Sequence, residues 1–181
     1  MYLQTDRLLL RPVEYTDIDQ AVTIWADPEV TRYIGGPRTP HEVRSLLDEQ
    51  VDEPSRGAFG QHPLIERATG SVVGDCGLLE KTIDGRDEVE IVYVIGKHYW
   101  GRGYALEIGE ALLDFAFGTL GLNRVVSLIH PENELSQRVA DKLGMVRESR
   151  VLQPDGAERE LWVVEREGWL LGGGQADART R

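Results

Sequence analysis

The spacing of apolar positions changes along the chain, and each change marks an element. Arg7-Leu8-Leu9-Leu10-Arg11 is a short apolar run stopped by Pro12 and predicts a first strand. Thr16-Asp17-Ile18-Asp19 is a cap-like start, after which Ile18, Ala21, Val22 and Trp25 recur at helical spacing. Thr39-Pro40-His41-Glu42 has the form of a capping box, with Pro at the first helical position. It predicts a short helix through Val43, Leu46, Leu47 and Gln50. Leu64-Ile65-Glu66-Arg67 and Ser71-Val72-Val73-Gly74 read as strands around the hairpin turn Ala68-Thr69-Gly70. Leu78 and Leu79 extend the second strand toward a polar turn at Thr82-Ile83-Asp84-Gly85-Arg86-Asp87. Val89-Glu90-Ile91-Val92-Tyr93-Val94-Ile95 is the best strand in the sequence, apolar on both faces except at Glu90.

A helix from near Gly103 carries Ala105, Ile108, Leu112, Phe115, Ala116 and Leu120 as a broad apolar face. Arg124 to Ile129 reads as a strand ended by His130-Pro131, and Asn133 to Leu143 as a helix with Gly144 as its C-cap. Met145 to Leu152 and Glu160 to Glu165 read as closing strands around Gln153-Pro154-Asp155-Gly156. The order β-α-α-β-β-β-α-β-α-β-β predicts an α/β domain of the α+β type built on a central mixed sheet. Residues 1–171 fit one domain, and 172–181 form a small, polar tail expected to fray.

Composition narrows the function classes. Twenty Lys+Arg against thirty-one Asp+Glu give a formal charge of -11, which disfavours nucleic acid and anionic lipid and attracts cationic substrates such as amines. The same acidity also serves solubility alone. Cys76 is the single cysteine, so an internal disulfide framework is excluded. No apolar run approaches the ~20 residues of a membrane span, and no signal-peptide core follows the N-terminus. A cytoplasmic location is the default expectation. His41, His62, His98 and His130 lack metal-ligand spacing, and no metal is expected.

Tyr99-Trp100-Gly101-Arg102-Gly103-Tyr104-Ala105 stands between the best strand and a strong helix. Small residues at a helix start leave N–H groups unpaired and unshielded, and the helix dipole adds positive potential. Such a loop suits a phosphate or pyrophosphate, with Arg102 adding charge. A plain strand-to-helix turn fits the same residues. A P-loop is disfavoured because no Gly-Lys-Ser/Thr is present, and a dinucleotide fingerprint because Leu106 stands where its third glycine belongs.

Four segments in order now carry a resemblance: the strand Val89–Ile95, the loop Trp100-Gly101-Arg102-Gly103-Tyr104-Ala105, then Pro131-Glu132-Asn133-Glu134-Leu135-Ser136, then Lys142-Leu143-Gly144-Met145. Together they resemble the GNAT acetyltransferase superfamily. Thr5-Asp6-Arg7-Leu8-Leu9-Leu10-Arg11-Pro12 and Asp27-Pro28-Glu29-Val30-Thr31-Arg32-Tyr33 resemble its Rim-type branch, which includes acetyltransferases of ribosomal-protein N-termini. The resemblance covers roughly residues 5–169. It implies a mostly antiparallel sheet splayed at the cofactor site and flanked by helices. Acetyl-CoA is the implied co-substrate, its pantetheine held by backbone groups of Tyr93, Val94 and Ile95 as by an added strand. Its pyrophosphate would lie on the amides of Gly101, Arg102, Gly103, Tyr104 and Ala105. Trp100 departs from the Gln or Arg that commonly opens this loop. Homodimers are common in the superfamily, and no motif here specifies one.

Acetyl transfer from a thioester to an amine needs a base for the amine, a donor for the developing oxyanion and an acid for the leaving thiolate. Glu90 is the candidate base, with Glu88 as fallback. Its alternatives are an exposed strand edge or a partner for a neighbouring Arg. Ser136, in the pattern Asn-x-x-Ser of the Rim-type branch, is the candidate acid or else a first-turn serine. Asn133 caps the helix, holds the pantetheine amide, or both, and the amide of Val94 is the candidate oxyanion donor. Cys76 lacks a nearby base, so direct transfer is preferred over an acetyl-enzyme. His98 and His130 lie near the expected cleft, while Trp25, Tyr33 and Trp162 read as packing residues ahead of the alternative, an amine cage. The expected function is N-acetyl transfer to a protein N-terminus or a small-molecule amine. Competing readings are a non-catalytic acyl-CoA sensor and, further off, a nucleotide-binding transferase.

Overall fold

The structure is a computed structural model and describes residues 1–53, 57–153 and 156–172. The strands are Leu3–Gln4 (β1), Leu8–Leu10 (β2), Gly60–Glu66 (β3), Val72–Ile83 (β4), Arg86–Ile95 (β5), Arg124–Ile129 (β6), Val146–Leu152 (β7) and Glu158–Glu165 (β8). The helices are Ile18–Trp25 (α1), Pro40–Asp52 (α2), Tyr104–Asp114 (α3), Glu134–Lys142 (α4) and Arg166–Leu171 (α5). The strands form one mixed sheet in the order β1-β2-β3-β4-β5-β6-β8-β7, the α/β architecture expected from the sequence. β5 and β6 are parallel, with Glu90 opposite Val126, whereas β6 and β8 pair antiparallel from Arg124↔Glu165 through Ile129↔Glu160.

Two compact units divide the chain, Met1–Gly77 with Tyr93–Ile108 and Leu78–Val92 with Gly109–Arg181. In the first, β2 pairs antiparallel with β1 and β3. Its core gathers Val13, Ile18, Ala21, Val22 and Trp25 with Val43 and Leu47, and Val94 packs against it. The capping box at Thr39 forms as the sequence predicts: the Glu42 amide donates to Thr39 Oγ1 at 3.2 Å, and the Thr39 amide to Glu42 Oε2 at 2.8 Å. Asp17 does not cap α1 with its side chain; it accepts from the Glu14 amide and pairs with Arg11 at 2.7 Å.

In the second unit, Ile83, Val126, Val151, Leu161 and Val163 form a cluster. Arg124 anchors its border, within 3.2 Å of Glu88, 2.8 Å of Glu148 and 3.0 Å of Glu165. Those carboxylates, the Glu148 hydrogen bond first, raise the guanidinium further above its ordinary range. Trp169 on α5 donates to Asp114 Oδ1 at 2.8 Å.

Three features were not predicted from sequence: β1, which is two residues long, α5, and the 3-10 turns at Tyr15–Asp17 and Lys97–Tyr99. Each is too short to show a period. The turn expected at Gln153–Gly156 closes with Gly156 N–H donating to the Gln153 carbonyl at 2.9 Å, although Pro154 and Asp155 lie outside the described residues. The expected tail also lies outside them, except for Gly172. Among the described residues, no helix is long and apolar enough to cross a membrane.

Candidate functional site

The loop before α3 is held in a shape that only glycine adopts readily. Gly101 has φ +76° and Gly103 φ +80°, both left-handed. This places the helix start at Tyr104 rather than at Gly103, because a residue at positive φ cannot join a right-handed helix. Among the described residues, the amides of Gly101, Arg102 and Gly103 donate to no backbone carbonyl. The Glu107 amide reaches the Gly103 carbonyl at 3.0 Å, so the first N–H groups of α3, from Tyr104 and Ala105, also lack helical acceptors. Among the described residues, five successive amides, Gly101 to Ala105, thus have no backbone acceptor at the positive end of an eleven-residue helix.

Side chains brace this turn from behind. Arg7 donates from Nη1 to the Arg102 carbonyl at 2.9 Å and pairs with Glu107 at 2.6 Å. Burial pushes the Glu107 carboxyl up, but the Thr5 hydroxyl, the Arg7 amide and the Arg7 guanidinium outweigh it and leave it lowered. The Tyr104 hydroxyl donates to Glu66 Oε1, and that bond, first among its causes, lowers the Glu66 carboxyl. Arg102 stands 3.6 Å from Glu66 and over the Tyr99 ring at 5.2 Å. Its charge is thus shared with a carboxylate.

Tyr93, Val94 and Ile95 end β5 beside β4. The Gly96 amide donates to the Val73 carbonyl at 2.9 Å, and a Val94 backbone hydrogen bond reaches the Cys76 thiol. Main-chain groups alternate in direction along a strand, so Val94 and Gly96 face β4 while Tyr93 and Ile95 face the opposite edge. The Val94 amide is thereby turned away from the oxyanion role expected of it. The Ile95 carbonyl already accepts from Trp100 Nε1 at 2.7 Å, an interaction that residue spacing did not reveal. Burial raises the Cys76 thiol well above its ordinary range, with Asp75 adding to the effect. A neutral buried thiol is no nucleophile, which accords with direct transfer.

A recess in the same unit was not legible in the sequence. Val13, Ala21, Ile24, Trp25, Leu47, Gln50, Pro63, Gly74 and Asp75 surround a cavity of about 10 Å³, room for one water-sized group. Asp75 Oδ2 accepts from Trp25 Nε1 at 3.1 Å. Protein packs densely round this carboxylate, though a little of its surface still meets the recess. Burial pushes it up to about 6, against the Trp25 hydrogen bond and the charge of Arg38.

That shift has a sign for stability. A carboxylate whose folded value is raised is unfavourable when ionised, so its cost is full above about pH 6 and relieved as pH falls toward the ordinary aspartate range. Asp75→Asn, which keeps an acceptor for Trp25, should therefore stabilise the protein at pH 8 by roughly 2 kcal/mol. The advantage should shrink below pH 6 and vanish near pH 4, as read by urea denaturation. Equal stability at pH 8 would show that the burial cost is absent.

In the second unit, Glu90 is buried, and both of its oxygens have neighbours. Oε1 accepts from the Leu128 amide at 3.1 Å, and Oε2 lies 2.6 Å from Lys81 Nζ. The latter contact is close enough for an ion pair but is not aligned as a hydrogen bond, and no aligned donor reaches Oε2. Glu90 is thus neither at an exposed edge nor paired with an Arg, as the sequence alternatives had it; its cationic neighbour is Lys81. Glu88, the fallback base, is engaged by Arg124. Asn133 caps α4, its Oδ1 accepting from the Ser136 amide at 3.2 Å. Ser136 sits in the first turn of that helix. His130 Nδ1 accepts from the Glu132 amide at 3.1 Å.

Comparisons with known proteins bear on what this arrangement does. Residues 7–146 match the family described as Acetyltransferase (GNAT) domain. The uncharacterized N-acetyltransferase p20 of Bacillus licheniformis is 33% identical over 164 residues, 88% of this chain and 90% of its own length. Spermidine N(1)-acetyltransferase of Escherichia coli strain K12 is 25% identical over 148 residues, 79% of this chain and 75% of its own. The crystal structure of a GNAT-family acetyltransferase from Bacillus anthracis superposes with a TM-score of 0.78 at 25% identity, covering 92% of this chain and 99% of that one.

Proposed function

The chain belongs to the GNAT family of acetyltransferases, and on that premise we propose that it moves an acetyl group from acetyl-CoA directly to an amine. The observation that carries this reading is the run of amides at Gly101–Gly103 without backbone acceptors among the described residues, in a turn set by two left-handed glycines at the start of α3. A diphosphate satisfies those donors, and the adjoining amides of Tyr104 and Ala105 extend the cradle. The pantetheine arm lies along the edge of β5 presented by Tyr93 and Ile95, as an added strand.

In the transfer, the amine nitrogen attacks the thioester carbon; a C–N bond forms, the C–S bond breaks and the amine loses a proton. Glu90, three residues before Tyr93 on the same strand, takes that proton directly or through water. Ser136, with Asn133 behind it in the Rim-type pattern, gives one to the departing sulfur. The acceptor is a protein N-terminus or a small-molecule amine; the net charge of -11 favours a cation, and a relative named for spermidine acetylation agrees with that.

Release of free thiol from acetyl-CoA on adding amines tests the reading. Glu90→Gln should cut kcat by about 100-fold and leave acetyl-CoA affinity within about twofold, because it removes a base and no cofactor contact. An unchanged pH–rate profile in that variant removes Glu90 from the chemistry. The engagement of both Glu90 oxygens favours one alternative, an acyl-CoA sensor without turnover. Tight acetyl-CoA binding with no thiol release from any amine would establish it.

A further inference from the structure

Asp75 presents a problem that its immediate surroundings do not solve. It is a half-buried carboxylate, with Val13, Ala21 and Leu47 as apolar neighbours around the recess. Trp25 Nε1 supplies one hydrogen bond, at 3.1 Å to Oδ2, and among the described residues no hydrogen bond to Oδ1 is seen. Arg38 lies over the Trp25 ring at 4.1 Å, yet it forms no ion pair with Asp75 among the described residues. A charged group in such a place is stabilised by a partner of opposite sign that can shed its own water. The cavity beside it, about 10 Å³, has room for one water-sized group, and a primary ammonium head is of that size.

The location of the recess bears on its role. Asp75 follows Gly74, and a Cβ at Gly74 would stand 2.4 Å from the Val94 carbonyl, so β5 leaves no room for a side chain there. Val94 packs on the cluster that includes Val13, Trp25 and Leu47, three of the residues lining the recess. The carboxylate therefore lies beside the strand end assigned to the pantetheine arm, partly exposed at a recess with aliphatic and indole walls.

We propose that the recess at Asp75 is a subsite for the second, non-reacting ammonium of an alkyl diamine acceptor. Asp75 accepts from its N–H donors, the Gln50 amide oxygen provides a further acceptor in the lining, and Val13, Ala21, Leu47 and Trp25 flank the methylene chain. The value of about 6 supports this, since Asp75 is ionised at neutral pH although burial opposes it, and an ammonium partner would hold it so more firmly. A purely structural Asp75 would serve only to fix α1 to β4 through Trp25.

The inference rests on the acetyl-transfer reading, and its test separates the two. Purified full-length protein and its Asp75→Asn variant are titrated with 1,4-diaminobutane and with n-butylamine by calorimetry, and both amines are assayed with acetyl-CoA by thiol release. The wild-type protein should prefer the diamine in kcat/KM and in binding. Asp75→Asn should erase that preference by lowering diamine affinity at least about tenfold, the loss of one charge-assisted contact. Trp25→Phe, which removes the indole donor and keeps an aromatic wall, should weaken diamine binding less. Equal diamine binding in the wild-type and Asp75→Asn proteins overturns the subsite. An equal loss with n-butylamine also overturns it, because Asp75 would then serve the reacting amine. Diamine binding that depends on Asp75, with no thiol release from any amine, upholds the subsite while the proposed transfer falls.

Discussion

Gly74→Ala should unfold more easily than the parent protein and hold coenzyme A more weakly. An alanine Cβ at this position would lie 2.4 Å from the Val94 carbonyl oxygen and 3.0 Å from Ile95 Cδ1. The first of these neighbours is backbone, which cannot rotate out of the way, so β5 must move from β4. The expected destabilisation is about 3 kcal/mol, at the upper end of overpacking costs. The displaced segment is the one assigned to the pantetheine arm, so calorimetry should also show coenzyme A affinity reduced by about tenfold or more. Unfolding and binding curves that overlay those of the parent would mean that the two strands are free to separate at Val94.

Gly103→Val should have the larger effect on the cofactor, and for a reason that differs from simple bulk. The sequence suggests that a valine there closes the space where phosphate meets backbone. Protein atoms leave that position open, the nearest being Arg7 Nη2 at 3.6 Å from the built Cβ. The obstacle is conformational: φ is +80°, a region a β-branched residue avoids. To relieve the strain the turn must rotate, and its donors no longer converge. Coenzyme A affinity should fall by about 100-fold, the equivalent of the roughly 1–3 kcal/mol of strain such a residue brings. Gly103→Asn is the control, because asparagine tolerates left-handed backbone and should retain most of the binding. Loss of equal size in both variants would point to bulk, and retention in both would remove Gly103 from the cradle.

What the sequence conveyed follows from the range of the interactions involved. The capping box at Thr39 and the polar turn at Asp84-Gly85 are local, and both formed where the residues predict them. The strand–loop–helix from Val89 to Asp114 was legible because its apolar period changes abruptly at the glycines. The partner of Glu90 was within reach of the same reasoning. A two-residue turn at 84–85 sets position 81 across from 88, with 90 next on that face, so Lys81 was a foreseeable neighbour. The Val94 amide illustrates a subtler miss, since naming it an oxyanion donor requires knowing which edge of the strand it faces. Asp75 was not legible at all. Its environment comes from Val13, Trp25, Leu47 and Gln50, brought to it by two helices remote in sequence, and nothing in Gly74-Asp75-Cys76 announces them.

The bond from the Trp100 indole to the Ile95 carbonyl has a kinetic consequence. It ties the glycine turn to the strand end, so the two surfaces assigned to the coenzyme are already in register when the chain has folded. Encounter should then be limited by diffusion and orientation, with no closing step to wait for. In a stopped-flow experiment following tryptophan emission, coenzyme A should produce a single exponential whose rate climbs linearly with concentration, with a slope of roughly 10⁵–10⁷ M⁻¹s⁻¹. A rate that levels off would reveal a rearrangement that this bond ought to have made unnecessary.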